Sequence, residues 1–294
     1  MNVYNFIMKY NIVLVPNWNM YQTRSYFVFL RVLQEVKSLV DRLFRQSFRR
    51  SATILASILQ PLLWQLLFGA VSLFQKIRIE TSNINLPYQL FLSSGIIVFT
   101  AFTSSMNAGL PIMFDREFGF LNRLLVIPLV SRLSILCSSI LFMAVFSFMQ
   151  AMLIVVGNLL YKTFEINYIQ VTSISILLLL LIVCVTTFSF CLTFSLPGHI
   201  ELLAIIFILN TPILFSTTAL APLDLMPKWL VYIASVNPLT YIIESIRVIS
   251  LNNNLDHLNT IFGDISLYQV IYIFILLDMI LLLLSNKFFN RKLE

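Results

Sequence analysis

Long apolar runs alternate with short polar segments along most of the chain. A helix needs about 20 mostly apolar residues to cross a hydrocarbon core of about 30 Å. Runs of that kind occur at residues 52–74, 90–112, 132–158, 170–196, 200–221 and 265–285. The pattern therefore predicts an all-α polytopic membrane protein with six transmembrane helices.

The segment before the first predicted span has a two-faced pattern instead. Apolar residues recur at helical spacing, and basic residues occupy the opposite face. The apolar positions are Phe29, Leu33, Val36, Val40, Leu43 and Phe44. We expect an amphipathic helix over 29–48 that lies in the headgroup plane, with its basic face toward anionic lipid. It serves either as an interfacial anchor alone or also as a contact for a cytoplasmic partner.

The distribution of charge predicts the orientation. Most of the 19 Lys and Arg residues lie before the first span, between spans two and three, or in the tail. Basic flanks face the cytoplasm, so both termini are expected on the inside. This divides the chain into a cytoplasmic segment (1–51), a transmembrane domain (52–285) and a basic cytoplasmic tail (286–294).

The loop after the second span carries a cluster of charges. Asp115, Arg116 and Glu117 are consecutive, and apolar residues beginning at Phe118 follow them. A short cytosolic helix with both an apolar anchor and charges is suited to docking a partner protein. The alternative is that the charges only cap a loop at the membrane surface.

The segment after the fifth span is apolar but interrupted by Pro222, Pro227 and Pro238. The pieces between these prolines are too short to span a bilayer, and non-helical backbone at membrane depth requires cover from protein or water. We expect a re-entrant pair of short helices that caps the bundle on the outer side.

Composition agrees with a membrane location. Hydrophobic residues make up 59% of the chain and charged residues 11%, against about 45–50% and about 25% in soluble domains. The net charge of +6 comes from residues at the ends of spans, which argues against binding of nucleic acid. No phosphate-binding loop, metal-ligand spacing or catalytic triad is present. The chain is not expected to be an enzyme or to bind a cofactor, and an ATP-driven role needs a partner chain.

Polar residues within the spans are candidates for a substrate path. They are Gln65, Asn107, Asn210 and Thr211. Asp278 lies deep in the sixth predicted span, where a charge costs about 2.5–3.5 kcal/mol. Either this carboxyl is protonated or hydrogen-bonded to a neighbour, or it is a proton or cation site.

Two motifs resemble those of a known family, the ABC-2 type permeases. The cytoplasmic motif comprises Phe114, Asp115, Arg116, Glu117 and Gly119, with Arg123 and Pro128 after it. The later motif comprises Pro222, Pro227, Trp229, Asn237, Pro238, Tyr241, Glu244 and Arg247. The similarity extends to permeases of daunorubicin and nodulation-factor exporters and of red-algal plastid genomes. The Ile-, Phe- and Asn-rich composition is consistent with an AT-rich plastid genome.

The resemblance implies a mechanism. Two such subunits, expected as a homodimer, would pair with two ATPase subunits that bind ATP and magnesium. The loop with Asp115–Gly119 would seat in the ATPase, and the re-entrant segment would form the outer gate. The expected location is a plastid membrane, with a bacterial inner membrane as the alternative. A proton-coupled secondary transporter using Asp278 and a membrane scaffold without transport activity are the rival hypotheses.

Overall fold

The computed structural model describes residues 24–49, 55, 58–63, 66–67, 78–81, 84–126, 133–160, 167–250, 257–260 and 263–293. The elements in chain order are α1 (Arg24–Arg49), β1 (Arg78–Thr81), β2 (Ile84–Pro87), α2 (Tyr88–Met106), α3 (Leu110–Glu117), α4 (Phe120–Val126), α5 (Leu133–Leu160), α6 (Tyr168–Ser195), α7 (His199–Phe215), α8 (Lys228–Val236), α9 (Pro238–Ser250), β3 (His257–Thr260), β4 (Gly263–Ser266) and α10 (Leu267–Leu293).

Within the described residues, four helical stretches are long and apolar enough to cross a membrane. They are Leu90–Glu117, Ser134–Leu160, Tyr168–Ser195 and Leu267–Ser285. They match the predicted spans at 90–112, 132–158, 170–196 and 265–285. The predicted span at 52–74 lies largely outside the described residues, which are helical at 58–63.

The predicted span at 200–221 is shorter in the structure. Helix α7 has 17 residues and ends at Phe215. Pro212 removes one backbone donor near its end, and the Ser216 and Thr217 amides bond to the Pro212 and Leu214 carbonyls. The chain therefore turns at 216–221 instead of continuing as a helix, and the six-span count stays a prediction.

The second span continues as one kinked rod from α2 through a 3-10 turn, Asn107–Gly109, into α3. At this kink the Ser189 hydroxyl of α6 donates to the Met106 carbonyl at 2.6 Å and accepts from the Gly109 amide at 2.9 Å. These bonds satisfy backbone groups where the helical pattern changes. The residues Asp115–Glu117 are thus the end of a span rather than part of a separate loop.

Helix α6 is the centre of the bundle. It packs against α2, α5, α9 and α10, and Leu178, Leu181 and Ile182 on it are almost fully buried. A helix that is apolar around its whole circumference is expected to lie inside a bundle, which agrees with this position.

The amphipathic helix predicted at 29–48 is present as α1. It lies along α5, with Leu39 and Leu43 buried and Leu33 half exposed. Its Phe44 ring meets the Phe142 ring of α5 edge to face, with ring centres 4.9 Å apart. The apolar stripe of α1 is therefore partly covered by protein.

Two short antiparallel hairpins were not predicted. Strand β1 pairs with β2 from Arg78 opposite Pro87 to Thr81 opposite Ile84, and β3 pairs with β4 from His257 opposite Ser266. Each strand has four residues, which is too short to show a period-two pattern. The all-α interpretation is confirmed for the main elements, and the hairpins are an addition directly before α2 and α10.

Candidate functional site

Two groups of polar contacts lie at opposite ends of the rod formed by α2 and α3. The group that includes Asp115 is at the α3–α4 hairpin (residues 110–126), and the group that includes Phe91 is at the α8–α9 segment (residues 216–250). At 1.5 Å per residue, Phe91 and Asp115 are roughly 35 Å apart along the rod.

Asp115 connects the α3–α4 hairpin to the amphipathic helix. Its Oδ2 lies 3.1 Å from the Nη2 of Arg42 on α1, and 15% of the Asp115 side chain is exposed. The Arg42 guanidinium also lies 4.5 Å from the centre of the Phe120 ring on α4. One arginine therefore holds α1, α3 and α4 together through an ion pair and a cation–π contact.

Arg116 binds the carboxyl end of α6. Its guanidinium donates to the carbonyls of Thr193 at 2.8 Å, Leu196 at 2.6 Å and Pro197 at 2.6 Å. The last carbonyls of a helix have no partner within the helix and carry its partial negative charge. A guanidinium at this position donates hydrogen bonds to these carbonyls and also balances the partial negative charge of the helix end.

Glu117 binds the amino end of α7. One carboxylate oxygen accepts from the His199 amide at 2.5 Å, and the other contacts the Nδ1 atom of the His199 ring. An anion is favoured there because helix amino ends carry free amide groups and partial positive charge. The Phe114 ring lies 5.3 Å from the His199 ring, so an aromatic contact supports the same junction.

The three consecutive charges are thus directed to three different helices. The surface left on the α3–α4 hairpin includes two large apolar side chains, since Phe118 and Val126 are 79% and 85% exposed, and Asn122 is exposed beside them. Arg123 is also exposed. Gly119, with φ of 73°, lets the chain turn from α3 into α4, as glycine commonly does after a helix.

The three prolines of the α8–α9 segment stand at the starts of elements. Pro222 precedes the 3-10 turn Leu223–Leu225, Pro227 precedes α8, and Pro238 is the first residue of α9. Proline fits these positions because the first turn of a helix needs no amide donor there. The two short helices are therefore present, and their re-entrant course stays a prediction.

Asn237 fixes the corner between α8 and α9 to the end of α7. Its amide nitrogen donates to the Ile213 carbonyl and the Ser216 hydroxyl, both at 3.2 Å. Its amide oxygen accepts from the Leu239 amide at 3.1 Å. Nearby, the Tyr241 hydroxyl donates to the Ser235 carbonyl at 2.6 Å, so the predicted Asn and Tyr both hold the backbone of the corner.

Arg247 joins α9 to the start of α2. It is 5% exposed, and it pairs with Glu244 at 2.5 Å. It also donates to the carbonyls of Thr218 at 3.0 Å and Phe91 at 3.4 Å, and it lies 3.7 Å from the centre of the Phe91 ring. A buried cation is tolerated when it is paired and hydrogen-bonded in this way.

The candidate path residues are not joined to one another by hydrogen bonds in the described part of the chain. Gln65 lies outside the described residues. Asn107 and Thr211 are exposed, and Asn210 is half-buried. Asp278 is 7% exposed and lies close to Cys184 of α6. Its Oδ1 atom has no partner among the described groups.

The sequence analysis missed the roles of Arg42, His199 and Ser189. Arg42 and His199 are 73 and 82 residues from their partners in the α3–α4 hairpin, so no local spacing connects them. Pro197 and Gly198 directly before His199 were a usable signal for a helix start, and helix starts attract carboxylates.

Comparison with known proteins gives a family and several relatives. Residues 34–251 match the ABC-2 type transporter family. Over 253 residues the chain is 50% identical to "Putative transport permease ycf38" of Porphyra purpurea, which covers 85% of this chain and 86% of that protein.

Two further relatives carry the same name. The protein of Pyropia yezoensis is 49% identical over 267 residues, covering 90% of this chain and 91% of that protein. The protein of Cyanophora paradoxa is 48% identical over 266 residues, covering 87% and 89%. These homologues come from red algal and glaucophyte plastids.

Proposed function

The chain belongs to the ABC-2 type transporter family, and on that basis we propose that it is the transmembrane subunit of an ATP-driven exporter in a plastid membrane. It acts as a homodimer with a separate ATPase that binds ATP and magnesium. The family and its transport permease relatives indicate a non-enzymatic membrane subunit, and the apolar surface of α7, with Phe207 79% exposed, leaves room for a second subunit or lipid.

The observation that carries this proposal is the α3–α4 hairpin. Asp115, Arg116 and Glu117 are bound to α1, α6 and α7, so a push on the hairpin is transmitted to three helices. Phe118 and Val126 are exposed beside this anchored cluster. An exposed aromatic on a rigid support is the usual anchor of a protein interface. ATPase contact is therefore assigned to the exposed Phe118 and Val126, and force transmission to the three charges.

The α8–α9 segment is assigned to the outer gate. Asn237 and Tyr241 stiffen its corner, and the Glu244–Arg247 pair fastens it to α2. Asn107, Asn210 and Thr211 remain candidates for the path, with Gln65 outside the described residues. Helix α9 of this segment packs against the central helix α6, so a movement of the gate would be transmitted to the bundle.

The second candidate function is proton-coupled secondary transport. It is favoured by Asp278, which is 7% exposed with one carboxylate oxygen unpartnered among the described residues. Ionisable groups inside spans often mark proton relays. In that case Asp278→Asn abolishes uptake driven by a proton gradient, whereas an exporter driven by ATP keeps its activity.

The decisive experiment is copurification of the ATPase with tagged chain. Phe118→Asp is expected to abolish stoichiometric copurification of a P-loop ATPase, because it places a charge in the apolar contact. It keeps the charged residues 115–117 and removes only the ring contact of Phe118 with Phe114 at 6.1 Å. Leu225→Asp is the matched control, since Leu225 is 76% exposed at the other end of the molecule and should leave the complex intact.

Glu117→Arg is a weaker probe of docking because it also breaks the junction with α7. Equal ATPase recovery with wild type and Phe118→Asp would contradict docking at this face. A wild-type preparation without any ATPase, in a detergent that preserves such complexes, would favour the proton-coupled alternative.

A further inference from the structure

A cavity of about 660 Å³ lies between α8 and the helix bundle. Phe102, Leu181 and Phe274 form its wall on the bundle side, and Tyr232 and Val236 form its wall on α8. The volume is in the range of sites that hold a small molecule. Because α2, α6 and α10 are long and apolar enough to be spans, this wall belongs to the membrane-spanning part of the protein, and Phe102, Leu181 and Phe274 are at most 5% exposed.

Two polar side chains of the cavity wall, Asn237 and Ser216, are hydrogen-bonded within the protein, and Tyr232 adds a hydroxyl on the α8 side. The Asn237 amide is occupied by Ile213, Ser216 and Leu239, and the Ser216 hydroxyl donates to the Ile213 carbonyl. A cavity lined mainly by apolar side chains retains little ordered water and accepts apolar molecules. The wall therefore selects for hydrocarbon.

A positive charge lies one helical turn from the cavity wall. Lys228 is one helical turn before Tyr232, so the two residues share a face of α8. Lys228 is exposed, and no ion pair involves it within the described part of the chain. Trp229 and Tyr232 are 65% and 66% exposed. Such aromatic residues are typical of the level of lipid headgroups, and an exposed lysine there attracts an anion.

We propose that this cavity binds an acyl chain of an anionic membrane lipid whose headgroup lies beside Lys228. The chain fills the apolar space beneath α8, and the phosphate interacts with the ammonium group. The occupant is a lipid because the wall is mainly apolar at membrane depth and the one charged residue of α8, Lys228, is positive. This binding is independent of the exporter proposal because it requires neither ATPase nor transport.

The test uses the purified full chain in bilayer discs of neutral lipid, without ATPase. The discs contain a small fraction of phosphatidylglycerol with a diazirine in one acyl chain, or phosphatidylcholine with the same chain. After illumination, mass spectrometry locates the crosslinks. We expect labelling of α8 and of the α10 peptide containing Phe274, with about twofold to fivefold more from phosphatidylglycerol, as for an exposed ion pair.

Two variants separate the apolar and charged parts of the site. Val236→Trp fills the cavity and should lower labelling by about tenfold, a change of about 1.4 kcal/mol. Ile208→Trp is its control, because Ile208 is an exposed residue of α7 outside the cavity wall and should leave labelling unchanged. Lys228→Gln should remove the preference for phosphatidylglycerol, whereas Arg45→Gln on α1 should keep it.

Several results would overturn the proposal. They are absence of cavity labelling in the wild type, equal labelling by the two lipids, or full labelling of Val236→Trp. Crosslinks from α8 to a second copy of the chain in place of lipid would show that protein covers the cavity. Thermal midpoints and elution profiles verify the fold of each variant. If Val236→Trp does not fold, the proposal is tested by whether Lys228→Gln loses the labelling preference for phosphatidylglycerol.

Discussion

Gly109 and Gly119 are glycine for different physical reasons. A Cβ atom on Gly109 would lie 2.1 Å from Thr193 Oγ1 and 2.9 Å from the Ser189 carbonyl, whereas one on Gly119 would meet nothing within 4 Å. Gly109 is therefore required by close approach of α6, and Gly119 by its positive φ of 73°. The first constraint is tertiary and the second is local.

We predict that Gly109→Ala destabilises the chain. The new methyl group pushes the kink away from α6 and breaks the bonds of Ser189, which we expect to cost about 1–3 kcal/mol. The measurement is the thermal midpoint of unfolding in detergent.

Gly157→Ala is the matched control for that prediction. An added Cβ there meets nothing within 4 Å, and Gly157 lies inside α5, so alanine should stabilise the helix by up to about 1 kcal/mol. The prediction is wrong if both substitutions shift the midpoint in the same direction by similar amounts.

At the scale of elements, α1 is joined to the α3–α4 hairpin by more than apolar packing. Arg42 contacts both Asp115 and Phe120, and the helix also lies along α5. The amphipathic helix is thus in a position to move with the hairpin. These contacts lie within the chain, so the interpretation in which α1 also contacts a cytoplasmic partner stays a prediction.

A double-mutant cycle with Arg42→Gln and Asp115→Asn tests this connection. The side chains are 29% and 15% exposed, and we expect a coupling free energy of about 1.5–3 kcal/mol, as for hydrogen bonds to charged groups. Thermal or denaturant unfolding of the four proteins gives the value.

The pair Asp41–Arg45 on α1 is the reference cycle. Its side chains are 57% and 75% exposed, and such helix pairs contribute about 0.3–0.5 kcal/mol. Coupling of Arg42 with Asp115 that is no larger than this reference would show that the ion pair does not hold the two elements together.

At the scale of the whole molecule, the two groups of contacts define two ends. The α3–α4 hairpin meets the start of α7 at one end, and the α8–α9 segment meets the start of α2 at the other. The basic flanks predict that the first end faces the inside. A hairpin for docking and a segment for gating would then lie on opposite faces of the membrane.

Labelling of single cysteines from either side tests this arrangement. In a background with Cys137, Cys184 and Cys191 replaced by alanine, Asn122→Cys and Asp224→Cys are chosen because both residues are exposed. A membrane-impermeant maleimide applied from outside should label Asp224→Cys in intact vesicles and Asn122→Cys only after permeabilisation. Labelling of both from the same side would rule out the predicted topology.

The sequence alone determined the elements that depend on local pattern. Continuous apolar runs specify α5, α6 and α10, since spanning requires length and hydropathy only, and the two-faced pattern specifies α1. Prolines mark the starts of α8 and α9 because proline lacks an amide donor. The four-residue strands were not predictable, because pairing across a two-residue connection leaves too few positions for a periodic signal.

Only the tertiary structure decided the partners of the polar residues. The motif with Asp115, Arg116 and Glu117 was recognisable, but the sequence left open whether its charges dock a partner protein or cap a loop, and only the structure shows that they bind α1, α6 and α7. Arg247 likewise became a buried link to α2. Such contacts depend on which helix ends meet in the bundle, and distances of 73 to 156 residues along the chain leave no local trace of them.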